Sequence, residues 1–157
     1  MSDIGLFYDI ANADIEIFQN DIKSDNGFVT SVLLSLFTDR ISNVSDSLPD
    51  SSGYRRGWWP DQFSVALNDL HGSRLWLLSR EKQLQNVLDR AKEYTEEALK
   101  WMLDDRITDK IEVTTEALKP KILAISVLIY RPNKEIAEFR FDLNWQQQKI
   151  QSLTFKV

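Results

Sequence analysis

Cysteine is absent from the 157 residues, which excludes disulfides, thiol nucleophiles and thiolate metal sites and fits an intracellular site of synthesis. Histidine occurs once, as His71, so there is little imidazole from which to build a metal site or a paired nucleophile. The five glycines form no GxGxxG and no phosphate-cradling loop, and HExxH spacing does not occur. No catalytic residue, cofactor or metal is therefore assigned. Basic residues are outnumbered, 19 against 24 acidic, and the net charge of -5 would repel phosphate backbones and anionic lipid, so neither nucleic acid nor a membrane is expected as a partner. No apolar run approaches the roughly 20 residues of a membrane span. The opening MSDIGLFYDIANAD lacks the basic and apolar regions of an export signal, so a soluble, unexported chain is expected. What remains is 43% hydrophobic content in a length suited to one core, and a single domain over 1–157 is expected.

The distinctive stretch is Tyr54 to Asp61, YRRGWWPD, which suits neither helix nor strand. Gly57 reaches backbone angles its neighbours avoid, and Pro60 fixes its own φ while pushing Trp59 toward extended geometry. The stretch reads as a built loop whose tryptophans carry too much apolar area to be left in water. Either Trp58 and Trp59 fold back on the core while Arg55 and Arg56 pair with carboxylates, or the group forms a contact surface, since Trp and Arg often carry interface energy.

Before it, Leu6 to Ile10 and Ile15 to Phe18 flank a turn-prone Ala11 to Asp14 and predict extended segments or a hairpin. Phe28, Val29, Val32, Leu33, Leu36 and Phe37 recur at helical spacing and predict a buried helix, with Asp25 or Asn26 as its cap. The Ser/Asp-rich stretch over 42–54 predicts a mobile loop. After the loop, Phe63, Val65, Leu67 and Leu70 continue an apolar run that breaks at His71 and Gly72.

Ser79 then offers a cap, with Glu81 in the first turn, for a long helix. Its face comprises Leu84, Val87, Leu88, Ala91, Tyr94, Ala98, Trp101 and Met102, and Glu96 and Lys100 stand at i, i+4 on the other side. From Lys110 the period becomes two, and Ile122 to Tyr130 is apolar on both faces, as in a central strand. RPNK at 131–134 predicts a tight turn into a strand with Ala137, Phe139, Phe141 and Leu143 on one face. The tail, 146–157, alternates Leu153, Phe155 and Val157 and suits a fourth strand or an arm that adds to a neighbouring chain.

Candidate chemistry is thin. His71 beside Gly72 reads more simply as a turn residue than as a base. A glycosidase needs only two carboxylates, a condition that 24 acidic residues always meet. Asp61 and Asp69 lie nearest the tryptophans, and an ion pair with Arg55 or Arg56 is the simpler role for such an aspartate. Hydrolysis of peptidoglycan is kept as the alternative to a binding role.

SVLLSLFTDR at 31–40, RRGWWPD at 55–61 and SRLWLLSREK at 73–82, followed by EYTEEALKWMLDD, resemble the baseplate protein family of Mu-like phages and prophages encoded by gene forty-six. The resemblance runs from about Ile4 to Trp145, with Pro60 where a glycine would be expected. That family is in turn similar to the lysozyme-like small wedge protein of T-even phages. Those relatives carry a Glu-Pro-Arg motif that is absent here, so only Arg40, Arg55 or Arg56 can stand for its arginine.

The resemblance implies a structural, non-enzymatic part of a contractile-tail baseplate wedge. It would be present in several copies, contacting other wedge proteins and the sheath and tube, and assembled in the host cytoplasm into the virion tail. The expected fold is α+β. It has a three-stranded antiparallel meander from Lys110 to Leu143, helices over Arg80–Leu103 and Phe28–Asp39, and a short N-terminal β segment. Trp58 and Trp59 are the expected anchors, Arg40, Arg55 and Arg56 the charged contacts, and Leu153, Phe155 and Val157 the arm.

Overall fold

The structure, a computed structural model, describes residues 27–63, 70–81 and 84–157, together with the strand backbone of a segment before them. In that segment six short strands, β1 to β6 (Asp3–Ile4, Leu6–Asp9, Asn12–Ile15, Ile17–Phe18, Asp21–Ile22 and Ser24–Asp25), pair as β1 with β6, β2 with β3 and β4 with β5. In place of one short β segment there are three separate antiparallel ladders. The cap candidate Asn26, the apolar positions Val65 and Leu67, and the carboxylate Asp69 lie outside the described residues.

Helix α1 (Phe28–Phe37) begins after Gly27, whose φ of 79° is a left-handed conformation and which offers no side chain as a cap; the side chain of the cap candidate Asp25 lies outside the described residues. The Ser31 hydroxyl and amide both donate to the Gly27 carbonyl instead. Val32, Leu33 and Leu36 are buried, with Phe28, Val29 and Phe37 packed against them.

The long helix starts later than its periodicity suggests. Leu75–Arg80 is a separate 3-10 helix, Glu81 is extended, and α2 runs Leu84–Asp104, so Ser79 lies inside the 3-10 helix, not at the cap of α2, and Glu81 is not in its first turn. Leu75, Trp76, Leu77 and Leu78 are all buried, so this short helix is covered on every side and shows no amphipathic period. Within α2 the expected face is mostly inside, although Leu84 and Trp101 stay open to solvent. Lys100 pairs with Asp104, not Glu96, at 2.8 Å.

The sheet has four antiparallel strands, not three: β7 (Lys110–Lys119), β8 (Ile122–Tyr130), β9 (Ile136–Asn144) and β10 (Lys149–Lys156), in the order β10-β9-β8-β7. The tail is thus a fourth strand of its own sheet. Ile150 lies opposite Leu143 while Leu153 lies opposite Phe141, a spacing of three against two that a bulge before Ser152 absorbs. Phe155 stacks on Phe139 with ring centroids 6.0 Å apart.

One sheet face, carrying Val113, Ile125, Val127, Phe139 and Phe141, forms the core with both helices, and Phe37 meets Phe141 edge-on at 5.2 Å. On the other face the central strand is covered from within. Arg140 reaches from β9 across β8, past the Ser126 hydroxyl at 3.5 Å, to Glu116 of β7 at 2.6 Å, and its aliphatic stem shields the apolar middle.

Further along that face Glu112 accepts from Lys110 and from the Tyr130 hydroxyl, the latter at 3.0 Å. These two hydrogen bonds, Lys110 first, hold the Glu112 carboxyl below the usual range. A carboxylate with a depressed folded-state pKa stabilises the fold above its unfolded value and loses that contribution as pH falls through the depressed one. The Glu112 carboxyl is therefore expected to titrate by NMR with a midpoint below 4.5, the ordinary glutamate value; a midpoint at or above it would contradict the contacts with Lys110 and Tyr130.

Candidate functional site

The chain between α1 and α2 is held by arginines that point inward. Arg74 enters the 3-10 helix Leu75–Arg80 with a side chain only 8% exposed. Its Nη1 donates to both oxygens of Asp46, at 2.9 and 3.0 Å, and its Nε donates to Glu97 at 2.8 Å. The guanidinium also lies 4.5 Å over the Tyr94 ring. Desolvation opposes the Arg74 charge, but its hydrogen bonds to Glu97 and Asp46 and their negative charge outweigh it and raise the pKa. Burial pushes the Tyr94 hydroxyl up, against the opposing charge of Arg74. Arg40 approaches the other oxygen of Glu97 at 3.8 Å, so one helical carboxylate serves two arginines.

Arg55 and Arg56 continue this pattern. Arg55 donates to the Ser42 hydroxyl and to the carbonyls of Asn43 and Val44, while Ser42 N–H returns a bond to the Arg55 carbonyl at 3.0 Å. Arg55 thus grips main chain of the Ser/Asp stretch. Arg56 donates to Asp39 at 2.6 Å and lies 4.5 Å over Trp76, whose indole N–H is bonded to the Arg40 carbonyl at 2.9 Å. Asp61 is not their partner. It accepts from the His71 amide at 3.3 Å and faces the ring Nδ1 at 3.1 Å, its side chain largely covered.

The tryptophans go the other way. Trp58 lies against His71, ring centroids 4.8 Å apart, and stays 40% exposed. Trp59 opens a 3-10 helix, Trp59–Phe63, where Pro60 is tolerated because a first-turn N–H has no intrahelical acceptor. Trp59 is 70% and Phe63 74% exposed, and the two rings meet edge-on at 6.1 Å. Tyr54 is exposed beside them in sequence. Behind Trp58 a groove of about 550 Å³ opens between α1 and α2, lined by Leu34, Ser35, Leu70, His71, Trp101 and Asp105 among others.

The structure therefore gathers Arg40, Arg55, Arg56, Trp58 and Trp59 in one region. Leu153, Phe155 and Val157 belong to the edge strand β10 and its end, where Phe155 and Val157 are half-exposed. Arg74, Asp46, Trp76 and Trp101 were not singled out from the sequence. For Arg74 a signal existed: a lone charge at the head of the apolar run LWLL. For Asp46, one of several aspartates in a polar stretch, there was none.

These contacts define an α+β domain with an arginine-knit loop and an outward aromatic display. The model of the family described as phage protein GP46 matches residues 28–136, and the chain belongs to that family. It is 38% identical over 141 residues to baseplate protein gp46 of Escherichia phage Mu, an alignment covering 90% of this chain and 95% of that protein. To the Mu-like prophage FluMu protein gp46 of Haemophilus influenzae it is 30% identical over 146 residues, covering 92% and 98%.

Proposed function

We propose that the protein is a structural component of a contractile-tail baseplate, sitting in the wedge and bound to neighbouring wedge proteins and to sheath or tube. It is present in several copies, assembled in the host cytoplasm and carried in the virion tail. The observation that carries this reading is the orientation of the loop: its arginines turn inward to hold it, and Trp59 and Phe63 stand outward, 70% and 74% exposed. Large aromatic area held ready in one geometry lowers the ordering cost of association. Trp58 and Trp59 act as anchors, Arg40, Arg55 and Arg56 set the loop, and Arg56, 38% exposed, is also open to a partner. The half-exposed Phe155 and Val157 supply a second contact, with the partly buried Leu153 beside Phe155 on the same strand. No observation favours the peptidoglycan hydrolase, since Asp61 is engaged by His71 and covered.

Because Trp59 and Phe63 contribute little to the core, the double variant Trp59→Ala, Phe63→Ala is expected to unfold within about 0.5 kcal/mol of the parent. Its incorporation into tails is expected to fall by roughly tenfold or more. Purified tails probed for the protein decide it; normal incorporation of a folded double variant sinks the interface role.

A further inference from the structure

The groove behind Trp58 is distinct from the Trp59 and Phe63 display, and its composition specifies what would fill it. Leu34 of α1 is 51% exposed, Trp58 of the loop 40% and Trp101 of α2 36%, so three elements each leave a large apolar side chain open on one concavity. At about 550 Å³ it has room for more than one large side chain.

Its polar groups are unevenly matched. Ser31 donates its hydroxyl proton to the Gly27 carbonyl at 2.6 Å, Ser35 to the Ser31 carbonyl at 2.8 Å, and the Trp101 indole N–H to the Ser35 oxygen at 3.0 Å. Among the described residues, the hydroxyls of Ser31 and Ser35 and the Trp101 indole are thus committed within the fold. With the Nδ1 proton of His71 directed at Asp61, a tautomer assigned from this contact, Nε2 is left as an acceptor. The Asp105 carboxylate, at the mouth, has no partner among the described residues. It follows directly on α2, which has no basic residue in its last turn, so the carboxylate adds to the negative end of the helix dipole. Lys100 nearby is already bound to Asp104 at 2.8 Å.

We propose that this groove seats a segment of another baseplate protein in which a leucine or aromatic anchor is accompanied, within about one helical turn, by a lysine or arginine directed at Asp105. The anchor covers Leu34, Trp58 and Trp101, and the cation pairs with the Asp105 carboxylate, which has no partner among the described residues. A second copy of this chain is the poorer match, because at net charge -5 it would bring acid to acid. The inference rests on the proposed baseplate role and adds the chemistry of the partner.

The test places a photo-crosslinking benzoylphenylalanine at position 34 in tail-producing cells, with a second probe at position 31 on the rim in case bulk at 34 blocks entry. Crosslinked peptides from purified tails are then sequenced. The expected result is a link to a different protein at an apolar residue with Lys or Arg close by. Asp105→Lys is expected to reduce incorporation roughly tenfold, and exchanging that cation for Glu to restore it. Incorporated protein that crosslinks to nothing from either position, to its own kind or to an acidic segment overturns the groove proposal and leaves the baseplate role standing, as does normal incorporation of Asp105→Lys. Absence of the unsubstituted protein from tails overturns both.

Discussion

Replacing Arg74 with methionine is expected to destabilise the fold by about 3 kcal/mol, because removing one member of a buried ion cluster leaves its partners desolvated and uncompensated. Asp46 and Glu97 are the hydrogen-bonded partners, with side chains 14% and 27% exposed, so water recovers only part of what they lose, while Glu93 at 3.8 Å is open to water. The methionine also forfeits the guanidinium stacked on Tyr94. Urea unfolding reads the effect as a lower midpoint with an unchanged slope. The triple variant Arg74→Met, Asp46→Asn, Glu97→Gln separates two accounts. If uncompensated charge is the cause, neutralising both acids recovers most of the loss; if the packing of Arg74 is the cause, it recovers little. The loop should respond as well. Asp46 is bonded to the Asn43 amide, and Asn43 and Val44 supply the carbonyls that hold Arg55. A folded Arg74→Met chain is therefore expected to present Trp58 and Trp59 less rigidly and to enter tails poorly.

Arg74 also illustrates which parts of the molecule periodicity can reveal. The face of β9 was legible because Ala137, Phe139, Phe141 and Leu143 repeat at intervals of two and each is buried, whereas β8 was legible as a central strand because it is apolar on both faces. The α+β class follows from those strands and from the α2 face. The fourth strand was obscured by one residue: the bulge before Ser152 sets Ile150 and Leu153 three apart on the same face, which a strict period of two reads as a break. The 3-10 helix was obscured for the opposite reason, because four consecutive buried residues carry no period at all.

At the candidate site, Gly57 and Pro60 marked a built loop, but the directions of its side chains depend on distant partners. Arg56 finds Asp39 and Trp76, and Arg74 finds Asp46, pairs separated by 17 to 28 residues with no pattern between them. Leu34 and Trp101 sit among residues at helical spacing, yet the packing between α1 and α2 leaves both open on the groove.

Gly72→Ala is expected to cost about 3 kcal/mol or more, from two sources that can be told apart. Gly72 has φ +93°, a region where an L side chain meets its own backbone at a cost of roughly 1–2 kcal/mol. In addition, a Cβ there would lie 2.3 Å from the Thr38 carbonyl oxygen and 2.8 Å from its carbon, distances at which backbone has to move. The backbone that would move is the crossing between the end of α1 and the approach to Arg74. Ser73 N–H donates to the Thr38 carbonyl and Arg40 N–H to the Ser73 carbonyl, both at 2.9 Å, and the Ser73 hydroxyl donates to Leu36 at 2.6 Å.

Gly53→Ala provides the control, since Gly53 shares a positive φ, +73°, but a Cβ there meets nothing within 4 Å. Thermal unfolding of the two should differ by the clash alone. At about 2–4 °C per kcal/mol for a chain of this size, Gly72→Ala is expected to melt roughly 6–12 °C below the parent, and Gly53→Ala about 2–8 °C below. Equal losses would mean that the two strands do not cross as closely as drawn at Ser73. Since His71 and Gly72 also wall the groove behind Trp58, an alanine that parts this crossing should disturb partner binding in whatever fraction of the chain stays folded.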